Sequence, residues 1–221
     1  VYFSTVNGTV YALNVNDGSQ RWAYIIGRTI QSTPTIQGST LYVSAKDGNI
    51  FAIDTTYGTL LWKYFLSSNQ VDGAGATIVA STAVAYGSVY VAGLDGSVVA
   101  LDMASGAIRW RTNLPDAVYS SPAVAGGLLF VASYDQRLYA LDAVTGAIRW
   151  SAFVGQTQSS PAIANGTVYI VSSDGTLRGF SSTAQQPATP TATLTPTPTS
   201  TPTATLTPTP TPTATPSAVI P

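Results

Sequence analysis

The sequence predicts an all-β protein built from repeated four-stranded antiparallel sheets. Four tryptophans lie 40, 48 and 40 residues apart, at Trp22, Trp62, Trp110 and Trp150. Each ends a phrase of the form Ala-x-Asx-x-x-x-Gly-x-x-x-Trp, such as ALDMASGAIRW over residues 100–110. A period near 40 residues is typical of arrays in which one small unit cannot bury its apolar faces alone.

Turn residues divide each repeat into four short strands, which we name A to D. In the fourth repeat the predicted strands cover residues 120–125, 128–133, 137–142 and 147–153. The residues between them, Gly126-Gly127, Tyr134-Asp135-Gln136 and Val144-Thr145-Gly146, have hairpin spacing. No repeat sustains a helical period of 3.6 residues, so helices are not expected.

Strands such as Val89-Tyr90-Val91-Ala92 are apolar at consecutive positions, which predicts that both faces of each sheet are covered. Sheets that stack in this way favour a β-propeller over a β-sandwich, which would leave one polar face per sheet. Counting strands gives three, four, four, four and three, which is 18. We therefore expect a partial ring of about 4–5 blades that exposes apolar faces and strand edges, from a fragment of a longer protein.

The phrase, the preceding Ser-Ser-Pro at residues 120–122 and 159–161, and the Val-Tyr-Val strand resemble the pyrroloquinoline quinone (PQQ) type of propeller repeat. The resemblance covers residues 1–182 and is nearest to the non-catalytic, outer-membrane-assembly lipoprotein-like members. It implies a ring of seven or eight blades in which the glycine allows close approach and the tryptophan packs flat on the neighbouring blade. That structural role would fall to Trp22, Trp62, Trp110, Trp150, Gly18, Gly58, Gly106 and Gly146.

Residues 183–221 have a different composition from the repeats. They contain 10 of the 14 prolines, no charge, and the copy TPTATLTPTPTS followed by TPTATLTPTPTP. Such a sequence cannot bury a core and favours an extended, disordered linker or stalk. The predicted domains are therefore 1–182, with three complete and two partial blades, and 183–221, beyond which wall or membrane attachment is possible.

The amino-acid composition excludes several kinds of catalytic and metal site. The sequence has no Cys and no His, and all ten acidic residues are Asp, so it can form neither a Ser-His-Asp nor a Cys-His arrangement, nor a His or Cys metal site. We assign no catalytic residue and no metal ligand. A net charge of −1 gives no electrostatic case for nucleic acid, and no apolar run is long enough to span a membrane.

One face of the predicted propeller carries the B to C turns and the D to A loops, since strands alternate in direction. The Asp-Gly pairs of the B to C turns, at Asp47, Asp95 and Asp174, are interpreted as hairpin turns before metal or substrate sites. The eight extra residues of the second unit fall within residues 67–76, and insertions in a single loop often lie on a binding face. The predicted ligand-binding residues are Gln31, Asp72, Tyr119 and Gln158.

Two functions remain open. The first is a non-enzymatic, extracytoplasmic binding or scaffolding module for a protein segment or glycan, located at the bacterial surface, secreted or periplasmic, and without a cofactor. Low charge and the Thr/Pro stalk favour this location. The alternative is a fragment of a PQQ-dependent dehydrogenase whose catalytic blades lie elsewhere. The resemblance implies that such an enzyme uses a vicinal Cys pair over the quinone and Glu at calcium, and this sequence contains neither residue type.

Overall fold

The computed structural model describes residues 1–67 and 75–181, and every regular element in these ranges is a β-strand. The first sheet has three strands, β1 (Tyr2–Ser4), β2 (Thr9–Leu13) and β3 (Gln20–Ile25). The second sheet has four strands, β4 (Thr35–Gln37), β5 (Thr40–Ser44), β6 (Asn49–Asp54) and β7 (Leu60–Phe65). Asp72 and the predicted stalk, 183–221, lie outside the described residues.

The remaining three sheets repeat this pattern. The third contains β8 (Ala83–Ala85), β9 (Ser88–Ala92), β10 (Ser97–Asp102) and β11 (Ile108–Asn113). The fourth contains β12 (Ala123–Ala125), β13 (Leu128–Ser133), β14 (Arg137–Asp142) and β15 (Ile148–Phe153). The fifth contains β16 (Ala162–Ala164), β17 (Thr167–Val171) and β18 (Leu177–Ser181). Among the described residues, all pairings are antiparallel between strands adjacent in sequence, and their 18 strands agree with the predicted count.

The last two strands of the first four sheets pair with the same register. The phrase alanine lies opposite the tryptophan in every case, for example Ala100 opposite Trp110, and the register then shifts by one residue. The residue before the tryptophan is therefore bulged outward. In the third and fourth sheets that residue is Arg109 or Arg149, and it forms an ion pair with Asp102 or Asp142 at 2.6 and 2.7 Å.

Strand A is shorter than the sequence predicts. In the fourth sheet it begins at Ala123 rather than at residue 120. Pro122 has no N–H for a ladder, and the two serines before it form other hydrogen bonds, which are described below. Strand D of the same sheet begins at Ile148, one residue later than predicted.

Successive sheets stack face to face, and an apolar cluster fills each of the four interfaces. Between the second and third sheets, for example, Tyr42, Ile50 and Trp62 meet Val89 and Val99. The innermost strands β4, β8, β12 and β16 lie next to one another. Face-to-face sheets with their first strands gathered on the inside are the architecture of a β-propeller.

The tryptophan of one sheet packs on the phrase glycine of the next. A Cβ added to Gly58, Gly106 or Gly146 would lie 2.6–2.7 Å from the ring of Trp22, Trp62 or Trp110. Each of these indoles donates a hydrogen bond to a main-chain carbonyl of the next sheet, at Thr55, Met103 and Ala143 respectively. Two members differ: Gly18 has no atom within 4 Å of such a Cβ, and Trp150 is only half-buried, between Phe130 and Phe180.

Candidate ligand-binding face

The B to C turns and D to A loops of each sheet are joined by main-chain hydrogen bonds. We call the surface that they form the loop face. Four equivalent amides donate to the preceding loop over 2.7–2.8 Å, from Lys46 to Thr29, Leu94 to Thr77, Tyr134 to Ala117 and Ser173 to Gln156. Main-chain hydrogen bonds between each turn and the preceding loop therefore hold the loop face in place, in addition to its side-chain contacts.

A chain of serine hydroxyls links the D to A loops of neighbouring sheets. We call it the serine ladder. The amide of Thr33 donates to Ser81 Oγ at 2.8 Å, the amide of Ser81 to Ser121 Oγ at 2.9 Å, and the amide of Ser121 to Ser160 Oγ at 2.9 Å. Equivalent positions in four consecutive loops are thereby held side by side.

In three of the four loops, a serine precedes the ladder position and fastens the loop to strand B of its own sheet. Ser32 Oγ donates to the carbonyl of Ser44 at 2.7 Å, and Ser120 Oγ donates to that of Ala132 at 3.1 Å. Ser159 Oγ donates to the carbonyl of Val171 at 3.0 Å. In these three sheets the serine side chain occupies groups of strand B that a longer strand A would pair with. The third sheet has Ala80 at this position, and its β8 still begins at the equivalent residue, Ala83.

Gln31, Tyr119 and Gln158 occupy one repeated position, directly before the fastening serine. The two glutamines are exposed and Tyr119 is half-buried. Because the serine ladder aligns Thr33, Ser81 and Ser121, the matching residue of the third sheet is Val79, which the sequence reading missed. Asp72, which was predicted for that loop, lies outside the described residues, so nothing places it here.

Tyr119 packs against Tyr134, which the sequence analysis assigned only to a turn. Their ring centroids are 5.5 Å apart and the planes are inclined by 52°. Tyr119 comes from a D to A loop and Tyr134 from the B to C turn of the same sheet. The pair therefore forms an aromatic platform on the loop face, beside the exposed glutamine row. No repeat signal marks Tyr134, because its counterparts are Lys46, Leu94 and Ser173.

The insertion of the second unit is closed at its base. Ser67 and Gly75 form an isolated antiparallel bridge, and the amide of Ala76 donates to the carbonyl of Leu66 at 2.8 Å. Arg111 reaches across from the third sheet to the carbonyl of Ser67 at 3.0 Å. The same guanidinium lies 3.3 Å from Asp95, whose side chain is only 7% exposed. Residues 68–74 of this predicted binding loop lie outside the described residues.

The acidic groups of the described repeats are engaged in turns. In the B to C turns, Oδ1 of Asp47, Asp95, Asp135 and Asp174 each accepts an amide two residues ahead. In the C to D turns, Asp54, Asp102 and Asp142 each accept two amides. Both patterns are Asx turns, which explains why Asp recurs at these two positions of the repeat.

Side-chain partners also lower the pKa of three of these carboxyls. The Arg109 guanidinium holds the pKa of Asp102 well below its usual range, and Arg149 does the same for Asp142. The Ser172 hydroxyl lowers the pKa of Asp174 to about 2. Groups held this firmly in the ionised form are poor proton acceptors at neutral pH, since a general base works best with a pKa near 7.

Among the residues that the structure describes, no three Asp, Glu, His or Cys side chains gather as a metal site would require. The same residues include no helix long and apolar enough to cross a membrane.

The comparisons with known proteins agree with this architecture. The family described as outer membrane protein assembly factor BamB matches residues 1–121 and, in an overlapping second match, residues 94–187. The crystal structure of BamB from Moraxella catarrhalis superposes with a TM-score of 0.71 at 26% identity, over 82% of this chain and 55% of that one. The chain thus spans about half the length of that relative. No curated protein matches the chain at a significant level.

Two computationally designed proteins share the fold. Ika8 has a TM-score of 0.69 at 17% identity, with 81% of this chain and 54% of that one covered. Ika4 has a TM-score of 0.57 at 18% identity, with 70% and 91% covered. At such identities the likeness concerns the fold alone. Together with the repeated phrase and the stacked four-stranded sheets, the family match shows that this chain belongs to the BamB-like PQQ-repeat β-propellers.

Proposed function

We propose that this chain is a non-enzymatic binding and scaffolding module that acts outside the cytoplasm and binds a protein segment on its loop face. The observation that carries the proposal is the row of non-turn side chains, Gln31, Tyr119 and Gln158, held by the serine ladder and flanked by Tyr134. The family description, an outer membrane protein assembly factor, supports a scaffold role and a location in the cell envelope.

The chemistry of the row suits a neutral polypeptide. Glutamine amides both donate and accept hydrogen bonds, so two of them can satisfy the main chain of an extended segment. The tilted tyrosine pair offers an apolar ring surface with hydroxyls at its edge, a combination that is enriched in binding hot spots. The proposed activity uses no cofactor, because recognition requires only these side chains and the loop backbone.

The turn carboxylates argue against the enzymatic alternative within the described blades. Asp47 pairs with Arg28 at 3.3 Å, Asp95 with Arg111, and Asp135 accepts the hydroxyl of Tyr139. A PQQ site with calcium would have to draw its oxygens from groups that already complete turns or ion pairs. Titration of the chain with PQQ and calcium, followed by calorimetry, should therefore give no saturable heat, and a saturable heat would revive the dehydrogenase reading.

A direct test measures peptide binding on immobilised chain. The probe is an array of synthetic 12-residue peptides that cover the β-strands of bacterial outer-membrane proteins. We expect a Tyr119→Ala, Tyr134→Ala double variant to lose at least tenfold in affinity for the peptides that bind wild type. Tyr57→Ala is the matched control, because Tyr57 is 77% exposed in a C to D turn on the opposite face. Equal losses in both variants, or none in the double variant, would refute the loop face as the site.

The tyrosine pair also supports a second candidate, a neutral glycan. Sugar rings present C–H faces to aromatic rings and hydroxyls to amides, and Tyr119 with Gln158 supplies both kinds of group. A glycan array probed with the same three proteins separates the candidates. Binding to glycans but to no peptide, with loss in the tyrosine double variant, would assign the site to sugars.

A further inference from the structure

A tyrosine occupies a turn position that the other sheets fill with glycine or asparagine. Tyr86 is the first residue of the A to B turn in the third sheet, and its counterparts in the second, fourth and fifth sheets are Gly38, Gly126 and Asn165. All four have a positive φ, which is 50° at Tyr86. A bulky side chain is strained in this left-handed region, whereas glycine and asparagine adopt it readily. The turn itself therefore gives no reason for a tyrosine here.

Two hydrogen bonds hold Tyr86 in this conformation. Its carbonyl accepts from Arg109 Nη1 at 3.2 Å, and its hydroxyl accepts from the amide of Gly127 in the next sheet at 2.9 Å. The side chain nevertheless stays 53% exposed, although the third sheet has a neighbouring sheet on each side. Backbone strain that the surrounding structure maintains is typical of sites that bind or react. The exposed ring of Tyr86 is thus a candidate for contact with a ligand.

The ring of Tyr86 lies beside a floor that has no side chains. Gly126 and Gly127 form the A to B turn of the fourth sheet, and a Cβ added to either would meet no atom within 4 Å. The carbonyl of Gly127 accepts from the amide of Ala143, so the next residue, Val144, which is 71% exposed, borders this floor. We call the surface formed by Tyr86, Gly126, Gly127 and Val144 the glycine patch. It lies on the face opposite the loop face, since it consists of A to B and C to D turns.

The polar groups of the glycine patch are free to meet a ligand. The Tyr86 hydroxyl accepts the Gly127 amide, and nothing within the described residues accepts the proton that this hydroxyl can donate. The same part of the chain supplies no hydrogen-bond partner for the main-chain N–H and C=O of Gly126. The charge of Arg109, beside Tyr86, is balanced by Asp102 at 2.6 Å. The patch thus combines an aromatic ring with two donors and one acceptor, and it suits a neutral ligand.

We propose that the glycine patch binds a pyranose ring of a neutral saccharide, at a site that shares no residue with the loop face. The C–H face of the sugar stacks on Tyr86, and the glycines let the sugar approach the main chain closely. Sugar hydroxyls both donate and accept, so a single ring can use the Tyr86 hydroxyl and the main chain of Gly126 together. An extended peptide fits less well, because strand addition requires a row of free main-chain groups and Gly126 offers one pair.

Two-dimensional ¹H–¹⁵N NMR spectra of the full chain locate the binding directly. The probes are cellohexaose, maltohexaose and chitohexaose, which are neutral oligosaccharides with different linkages and substituents. We expect at least one of them to shift the amide signals of Gly126 and Gly127 in a saturable manner. Shifts confined to the loop face would place the sugar there instead and overturn the proposal. The absence of a saturable shift with every probe, or a shift of these two signals with peptides alone, would overturn it as well.

Variants taken from the repeat test the glycine patch while keeping the turn. Tyr86→Gly installs the residue that the second and fourth sheets carry, removes the strained side chain, and should weaken binding about tenfold or more. Gly126→Asn installs the residue of the fifth sheet, where Asn165 has a φ of 50°, and places a side chain over the floor. It should weaken binding to a similar extent, although Tyr86 is still present.

Tyr86→Phe separates the contribution of the ring from that of the hydroxyl. It keeps the stacking surface and removes the donor, so we expect a loss of about threefold, smaller than that of Tyr86→Gly. Tyr57→Ala is the matched control, because it removes another exposed aromatic ring from the same face, and it should bind as wild type does. Circular dichroism of each variant verifies that the sheets are intact. Unchanged binding in both Tyr86→Gly and Gly126→Asn, or an equal loss in Tyr57→Ala, would refute the glycine patch as the site.

Discussion

Each interface tryptophan meets three requirements that a smaller side chain cannot meet together. Trp110 fills the gap between the third and fourth sheets, lies against Gly146 and donates its indole N–H to the carbonyl of Ala143 at 3.1 Å. Tyr90 tilts against the same indole at 5.9 Å. The repeated phrase thus places a tryptophan in one sheet so that it packs on a glycine and donates to a carbonyl of the next sheet.

The phrase glycines provide a matched pair for measuring this contact. Gly58 and Gly18 have the same φ of 70°, but only Gly58 contacts a tryptophan. Gly18→Ala should cost about 1 kcal/mol, which is the strain of a Cβ in the left-handed region. Gly58→Ala adds a Cβ 2.6 Å from the Trp22 ring, so we expect it to cost about 2 kcal/mol more, in the range of an overpacked core.

Urea unfolding of both variants measures the difference. Equal losses at Gly18 and Gly58 would show that the backbone conformation alone requires glycine there. In that case, the contact with Trp22 would not be the reason for glycine at this position of the repeat.

A second prediction at the residue scale concerns alkaline stability. Burial, together with the hydrogen bond to Asp135, raises the pKa of Tyr139 to about 12. Folding therefore favours the protonated phenol, and its contribution is fully present below pH 10, the value expected in the unfolded chain, and is lost between pH 10 and 12. Unfolding free energies at pH 9 and 11.5 should fall less in Tyr139→Phe than in wild type. An identical fall in both proteins would exclude Tyr139 as a contributor.

The role of a residue could be predicted from the sequence where the same residue type recurs at one position of every repeat. It could not be predicted where the residue type occurs in one repeat only. The tryptophan and glycine positions recur in register, so the sequence indicates them directly. The platform residue Tyr134 has no such signal, because it fills a turn position taken by other residue types in other sheets. Only the fold shows that it lies against Tyr119.

At the scale of elements, the serine ladder couples neighbouring sheets through their loops as the tryptophans couple them through their faces. The sequence offered a signal in the repeated Ser-Ser-Pro, which helped to identify the repeat. The signal was also misread as the start of strand A, since extended residues before a proline resemble a strand. In the fold these residues hold loops instead, and the short strands β12 and β16 follow them.

Ser81→Ala tests the ladder at its middle position. The change removes the acceptor of the Thr33 amide and leaves the Ser81 amide free to donate to Ser121 as before. Since Thr33 is exposed and water can replace the hydroxyl, we expect a loss of about 0.5–1 kcal/mol in unfolding free energy. The sharper readout is hydrogen exchange, which should accelerate at the Thr33 amide and not at the Ser81 amide.

Ser19→Ala serves as the comparison, because the Ser19 hydroxyl bonds only to Asp17 within one exposed turn. That variant should stay within about 0.5 kcal/mol of wild type. Unchanged exchange at Thr33 in Ser81→Ala would mean that the ladder geometry does not protect the loop in solution.

At the scale of the whole molecule, burial is graded along the array of sheets. Strands β9 and β10 of the third sheet are buried at nearly every position, whereas β17 alternates between buried and exposed and β18 is half-exposed throughout. The inner sheets have a neighbour on each side. Within residues 1–67 and 75–181 the first and fifth sheets each pack on one neighbour, and in a repeat protein stability is roughly the sum of the units and their interfaces.

The stability of the fifth sheet should therefore fall below that of the third, and native-state hydrogen exchange measures both in one sample. Amides of β17 should open with a lower free energy than those of β9. The interface with the fourth sheet adds to this difference, because its Trp150 is half-buried and Phe130 stands where the other sheets have the bonding tyrosine. A single opening free energy shared by all five sheets would instead show that the array unfolds as one cooperative unit, with its end sheets as stable as its centre.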